Sequence, residues 1–379
     1  LAEDQRTFVE SLRNAGWYTG LTGKWHLRST PAGFDQWAIL PGGGGPWFDP
    51  PMTANGVHLR MRGHSDDVVG DQAIEFLRTR PADRPFLLLM NFKSPHRNWY
   101  PAKRFETAFD DIDIPLPRTY EDRLDSDALR RAKMAIADMP DFRERGVPES
   151  LPRDERKRRN YQALVKNYYR TLLSVDENVG RALAVLDETG VAGDTVVLFS
   201  SDNGFFLGEY GLYDKRLMYE ASIRVPMLVR WPKRVQPGTV NSSLVTNVDV
   251  APTLLEIAGI EIPAWMQGRS FLPLLDRKEI AWRDAFYYEF HEYPDYDHCV
   301  RRHRGIRTER WKLIEFWERP VEYELYDLQA DPDETKNLAR SQPARVRELK
   351  AKMEELRREL GAVDAPGPVP SVEPCVPTR

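Results

Sequence analysis

The chain has 379 residues and a mass of 43.8 kDa, room for one large α/β domain with a smaller companion. A hydrophobic fraction of 41% supports a substantial core, and a net charge of -4 excludes a global basic field for nucleic acid or anionic membrane. Two cysteines, Cys299 and Cys375, make no disulfide framework, and apolar runs such as Phe86 to Phe92 are too short to span a bilayer.

Leu1 stands where an initiator Met is absent and leads straight into a helical pattern, so the chain is expected to begin inside a domain, with no signal peptide visible. Apolar residues at Phe8, Leu12 and Ala15 predict a helix over 3–15, stopped by Gly16. A short strand then runs into Gly23-Lys24-Trp25-His26. In extended backbone Lys24 and His26 share one face, a cation beside an imidazole. Residues 31–64 are rich in Gly, Pro and Trp and read as loop with short strands; Gly42 to Gly45 lack the Lys-Ser/Thr of a phosphate loop. Helical periodicity returns over Asp66 to Arg78. Phe86 to Phe92 reads as a buried strand, and it ends in Lys93-Ser94-Pro95-His96. Residues 112–159 are charged and interrupted by Pro117, Pro140 and Pro148, which predicts a surface insertion with one or two helices. Tyr161, Leu164, Val165, Tyr168, Leu172, Val175, Val179, Leu183 and Leu186 make one apolar stripe, the clearest helix in the chain.

Thr195 to Trp231 organises the rest. Thr195 to Phe199 is apolar and β-branched, the pattern of a central parallel strand buried on both faces. It stops in Ser201-Asp202-Asn203-Gly204. Open α/β sheets bind ligands at such strand ends, and Asp and Asn oxygens are hard ligands suited to calcium or magnesium. Lys215 follows, a point charge for an anionic group, and Pro226 to Trp231 reads as a second strand. A helix is expected over Val248 to Ala258. From Phe286 short antiparallel strands at 304–308, 311–316 and 322–328 precede an amphipathic helix over 344–360, and a Pro-rich tail reads as disordered. The domains expected are 1–285, 286–362 and the tail 363–379.

Each strand-end group has an ordinary reading. Asp-Asn-Gly is usually a plain turn, and a lone loop histidine is usually structural. The case for chemistry is their number: Lys24, His26, His96, Asp202, Asn203 and Lys215 all lie at strand ends or on the excursions that follow. One hard-cation site, two imidazoles and two ammonium groups suit an oxyanion ester, with the cations on its oxygens and an imidazole at the leaving oxygen.

Gly20-Leu21-Thr22-Gly23-Lys24-Trp25-His26, Ser94-Pro95-His96, Ser201-Asp202-Asn203-Gly204, Lys215 with Arg224-Val225-Pro226, and Leu325-Tyr326-Asp327-Leu328 with Asp331-Pro332-Asp333-Glu334 occur in that order. The set resembles the type I sulfatases of the alkaline phosphatase superfamily, over nearly the whole chain except the tail. The resemblance implies an alkaline-phosphatase-like α/β fold, a central mainly parallel sheet between helices, with a smaller C-terminal antiparallel sheet plus helix. It implies Asp202 and Asn203 as ligands of Ca2+, with Mg2+ the lesser choice. It implies Lys24 and Lys215 on sulfate oxygens, His26 at the breakdown of the nucleophile's intermediate, and His96 as proton donor to the departing alcohol. The family's nucleophile is a formylglycine made from an upstream Cys or Ser, and an earlier Asp pair completes its metal site; both are absent from this chain, which is therefore expected to be truncated at its N-terminus. Cys375-Val376-Pro377-Thr378-Arg379 matches the nucleophile motif only loosely and is left out of the site.

The segment from Tyr288 to Thr308 resembles a subgroup acting on sulfated amino sugars, such as N-acetylglucosamine 6-sulfate in glycosaminoglycans or mucin glycans. Trp99, His291 and His303 are candidate sugar contacts. The partner implied is a sulfated carbohydrate, not nucleic acid, and family resemblance points to a periplasmic, secreted or lysosome-like setting. Two rivals stand beside it: a phosphodiesterase or phosphonate hydrolase of the same superfamily, and a degenerate, non-catalytic glycan-binding member.

Overall fold

The structure is a computed structural model and describes residues 6–122, 126–292 and 298–362. Its first layer is a five-stranded sheet in the order β4-β3-β2-β1-β5. β1 (Tyr18–Trp25) runs parallel to β2 (Gln36–Pro41) on one side and to β5 (Phe86–Asn91) on the other. β3 (Pro51–Ala54) and β4 (Val57–Arg60) extend the sheet antiparallel. The Gly- and Pro-rich stretch therefore holds three strands.

Helices cover both faces. α1 (Phe8–Asn14) opens on a capping box, with Glu10 N donating to Thr7 Oγ1 and Thr7 N to Glu10 Oε2. Its Val9 and Leu12 are buried, and Val9 packs with Leu21 and Ile39. α2 (Ser65–Thr79) lays Phe76 and Leu77 against Ala182, Val185 and Leu186 of α4 (Arg153–Glu188). The apolar stripe expected on α4 is its buried face: Tyr161, Leu164, Val165 and Val175 are all within it. β1 is the strand enclosed on both faces, with Thr19 to Gly23 buried.

That role was expected of Thr195 to Phe199, and here the structure differs. β6 (Val197–Ser200) pairs only antiparallel with β9 (Met227–Arg230) among the described residues. Phe199 is 38% exposed and Leu228 63% exposed, so the ribbon is not enclosed. An apolar run records hydrophobicity but not the direction of its neighbour. Residues 112–159 also differ from the surface insertion expected. Besides α3 (Asp127–Arg131) they bury Tyr120, Met134, Ile136 and Phe142. Prolines broke the periodicity that would have marked these residues as core.

The second layer group is an antiparallel sheet of β10 (Ala285–Phe290), β11 (His303–Thr308), β12 (Trp311–Phe316) and β13 (Glu322–Asp327). The last helix (Pro343–Glu359), α8 in chain order, packs Leu349 and Met353 on it. A shared core joins this sheet to the preceding chain: Ile314, Phe316 and Tyr326 contact the cluster that holds Phe206, Leu217, Met218 and Tyr219. Between β6 and β10 the chain also forms the ribbon β7 (Phe206–Leu207) with β8 (Tyr213–Asp214) and three short helices, α5 (Glu220–Ile223), α6 (Val250–Ile257) and α7 (Leu272–Leu275).

Candidate active site

Lys24 is next to last in β1. The turn of chain before it is shaped by Gly23, at φ 105°, where a Cβ would lie 2.0 Å from the Asn91 carbonyl oxygen of β5. Only glycine lets β1 and β5 stay together at this end. Lys24 is half-buried. Burial pushes its ammonium pKa down, the Asp202 carboxylate pushes it up, and the Lys215 ammonium pushes it down again. Charges act on one another in this way only over short distances, so three groups far apart in sequence share one locality.

His96 joins them. Its pKa is pressed to about 4, first by burial and then by the Lys24 and Lys215 ammonium groups, with the Arg97 carbonyl and Asp214 opposing. At neutral pH the ring is therefore neutral. His96 Nδ1 lies 2.9 Å from the Arg97 carbonyl oxygen, which can only accept. The proton sits on Nδ1, and Nε2 carries the lone pair.

Asp202 is exposed just past β6, and Asn203 is half-buried. Asn203 Nδ2 donates to the Gly204 carbonyl at 2.7 Å, and Ser201 Oγ donates to the Asn203 carbonyl at 2.9 Å. Among the described residues neither the Asp202 carboxylate nor Asn203 Oδ1 accepts a hydrogen bond. These oxygens suit a hard cation in kind. They fall short in number: calcium takes six to eight oxygen ligands, and no group of three His, Cys, Asp or Glu side chains that could hold a metal occurs among the described residues.

Lys215 is half-buried between Asp214, at φ 80°, and Arg216, at φ 98°. Two non-glycine residues in the left-handed region around one lysine mark a backbone held out of its relaxed form. Asp214 is buried and gathers Arg97 at 3.3 Å, Arg216, and His298 at 3.7 Å. Arg97 also forks onto Asp141, at 2.6 and 3.2 Å. Sequence reading missed this ionic frame because neither its spacing nor its composition is distinctive.

A second missed cluster lies under the His96 loop. Ser94 Oγ donates to the Asp66 carboxylate, which is fully buried in the first turn of α2 and whose pKa burial pushes up. His64 caps α2, accepting from Asp66 N on Nδ1 and donating from Nε2 to the Tyr100 carbonyl at 3.0 Å. Lys93 rests 4.3 Å over the Trp47 ring with its pKa lowered to about 8, chiefly by burial.

His26 lies one residue past the end of β1 and is exposed. Trp99 is 0% exposed, stacks on Phe142 at 6.0 Å and donates its indole N–H to the Pro95 carbonyl; it is core, not a sugar contact. His303 is also 0% exposed, between Tyr288, Phe290 and Phe316, and burial presses its pKa to about 4. Aromatic and imidazole types are used alike in cores and in sugar sites, so residue type misled. His291 is exposed, beside Glu289 at 3.5 Å, and its neighbour Glu292 reaches Arg216 at 3.5 Å. Cys375 lies outside the described residues.

A family profile described as Sulfatase matches residues 1–260, more than half the chain. The chain belongs to the sulfatase family. It is a sulfuric-ester hydrolase by that membership, and a second profile, N-sulphoglucosamine sulphohydrolase, C-terminal, matches residues 208–359 of this sulfatase. Among curated relatives, an N-acetylglucosamine-6-O-sulfatase of Bacteroides thetaiotaomicron is 37% identical over 88% of this chain and 69% of its own. The N-acetylglucosamine-6-sulfatase of Bos taurus is 28% identical over 89% of this chain and 66% of its own. The sulfatase thus spans about two thirds of these relatives' length. A solved structure in complex with its substrate D-glucosamine-2-N,6-O-disulfate superposes with TM-score 0.88 at 34% identity, covering 96% of this chain and 84% of that one. A phosphonate monoester hydrolase from Silicibacter pomeroyi shares the fold, with TM-score 0.73 at 21% identity over 95% of this chain and 81% of its own.

Proposed function

We propose that the full-length protein removes sulfate from a carbohydrate, with N-acetylglucosamine 6-sulfate as the preferred unit. The observation that carries this is that the Lys24 ammonium acts on Asp202, Lys215 and His96 together, and Lys215 acts on His96 as well. The activities of the two relatives and the glucosamine disulfate bound by the solved neighbour support the sugar. In this reading Lys24 and Lys215 hold sulfate oxygens. His96 takes a proton on Nε2 once sulfate charge offsets the two ammonium groups, and passes it to the leaving alcohol. Asp202 and Asn203 would supply two oxygens to a calcium ion, and a formylglycine of the family's kind would be the nucleophile. Calcium would polarise the sulfate oxygens.

Compartment follows the same reading. The family favours a periplasmic, secreted or lysosome-like setting. No helix of the described residues is long and apolar enough to cross a membrane.

The test is sulfate release from N-acetylglucosamine 6-sulfate by the full-length protein, against an aryl phosphate diester. Chelation should abolish turnover, and Asp202→Ala and His96→Ala should each lower kcat/KM at least a hundredfold. Preference for the phosphate diester would favour the phosphonate-hydrolase rival. Sugar binding without turnover would favour the glycan-binding one.

A further inference from the structure

Ser222 touches both loops that carry the candidate site. Its backbone carbonyl accepts from Gly204 N at 2.8 Å, one residue past Asn203. Its Oγ accepts from Arg216 N at 3.2 Å, one residue past Lys215. The residue is 4% exposed, so water does not compete for either bond.

Ser222 is itself held. It lies in α5, whose first residue, Glu220, donates its N–H to Glu334 Oε2 at 2.7 Å. The Glu220 carboxylate takes Lys312 Nζ at 2.8 Å, and the same ammonium reaches Glu334 at 2.6 Å. Lys312 is 0% exposed in β12. The C-terminal sheet thus grips α5, and α5 grips both loops.

Each loop needs the grip. The left-handed backbone on both sides of Lys215 relaxes unless bonded in place, and Lys215 moves with it. On this side the bond is Arg216 N to Ser222; on the other, Lys215 N donates to Asp214 Oδ1 at 2.9 Å. At Gly204 a Cβ would lie 2.3 Å from the Ala221 carbonyl oxygen, so the Asp202–Asn203 loop presses directly on α5.

We propose that Ser222 is a positioning residue that sets the spacing between the Asp202–Asn203 oxygens and the Lys215 ammonium, anchored to the C-terminal sheet through Lys312. It rests on the sulfatase reading above. The experiment is a double-mutant cycle on the full-length protein, reading sulfate release from N-acetylglucosamine 6-sulfate together with the melting temperature. Ser222→Ala is expected to lower kcat/KM by about tenfold to a hundredfold with the melting temperature nearly unchanged. In a Lys215→Ala background the same change should have no further effect, and Ser222→Thr, which keeps the acceptor oxygen, should restore most of the rate. A wild-type rate in Ser222→Ala, or an equal loss in both backgrounds, overturns the proposal. If the alanine variant does not fold, Ser222→Cys, a weaker acceptor of similar shape, takes its place: a loss confined to the Lys215 background supports the proposal and a wild-type rate overturns it. Full activity of Lys215→Ala alone would overturn the site reading, a result distinct from failure of the cycle.

Discussion

Replacing Lys312 by Met tests the clamp between the C-terminal sheet and α5. The ammonium is 0% exposed and sits 2.8 Å from Glu220 and 2.6 Å from Glu334, whose side chains are 19% and 3% exposed. Met has similar length and keeps the packing, but Glu334 loses its counter-ion and Glu220 keeps only Arg307, at 3.4 Å. Removing one partner of a buried pair costs about 3–5 kcal/mol. Part of that loss depends on pH. Burial already pushes Glu334 up to about 7 against the pull of Lys312. Without Lys312 it rises further, and the folded variant holds a proton that the wild type releases above pH 7. The variant's deficit should therefore grow between pH 6 and 8.5, by about 2 kcal/mol at 1.36 kcal/mol per unit. Urea unfolding followed by tryptophan fluorescence at both pH values reads this as a shift in midpoint, roughly 1 M at the alkaline end. A loss below about 1 kcal/mol at both pH values would refute the clamp, because it would mean the carboxylates are already solvated.

Other outcomes follow from single contacts. Trp99→Phe keeps the stacking on Phe142 but loses the indole hydrogen bond to Pro95; stability should fall by about 1 kcal/mol while KM for the sugar stays unchanged, and a several-fold rise in KM would return Trp99 to the substrate. Gly23→Ala forces a Cβ against the Asn91 carbonyl at φ 105°, so it should cost more than about 2 kcal/mol in a thermal melt; a melt like the wild type's would show that β1 and β5 part freely here. His303 has a folded pKa of about 4 against 6.5 unfolded, because burial disfavours its charged form. The unfolded chain then binds more protons in acid, and stability falls as the pH drops from 6.5 toward 4, by about 1.5 kcal/mol per such histidine between pH 6.5 and 5. His303→Phe should flatten that slope in urea titrations. An unchanged slope would assign the acid sensitivity to other groups.

The candidate site could be read before the fold because its groups stand where apolar runs end. Lys24, His96 and Asp202 each follow such a run, and Lys215 follows in the same excursion. The helices α2, α4 and α8 were legible from their stripes. The failures share a cause. His303 and Trp99 were assigned to the sugar by residue type, and type does not report exposure. Thr195 to Phe199 was assigned to the sheet centre by hydrophobicity, and hydrophobicity does not report a neighbour. The supporting residues were invisible for another reason: Ser94 finds Asp66 across 28 residues, and Glu220 finds Glu334 across 114.

Periodicity and strand-end chemistry are local properties, carried by residues within a few positions of one another, so they survive in the linear chain. They specified an α/β protein and a family, and singled out lysines and a histidine as candidates for handling an anion. Which strand neighbours which, which aromatic is enclosed, and which serine braces two loops depend on contacts between distant segments. Those contacts exist only once burial has removed water from between them, and no local pattern encodes them.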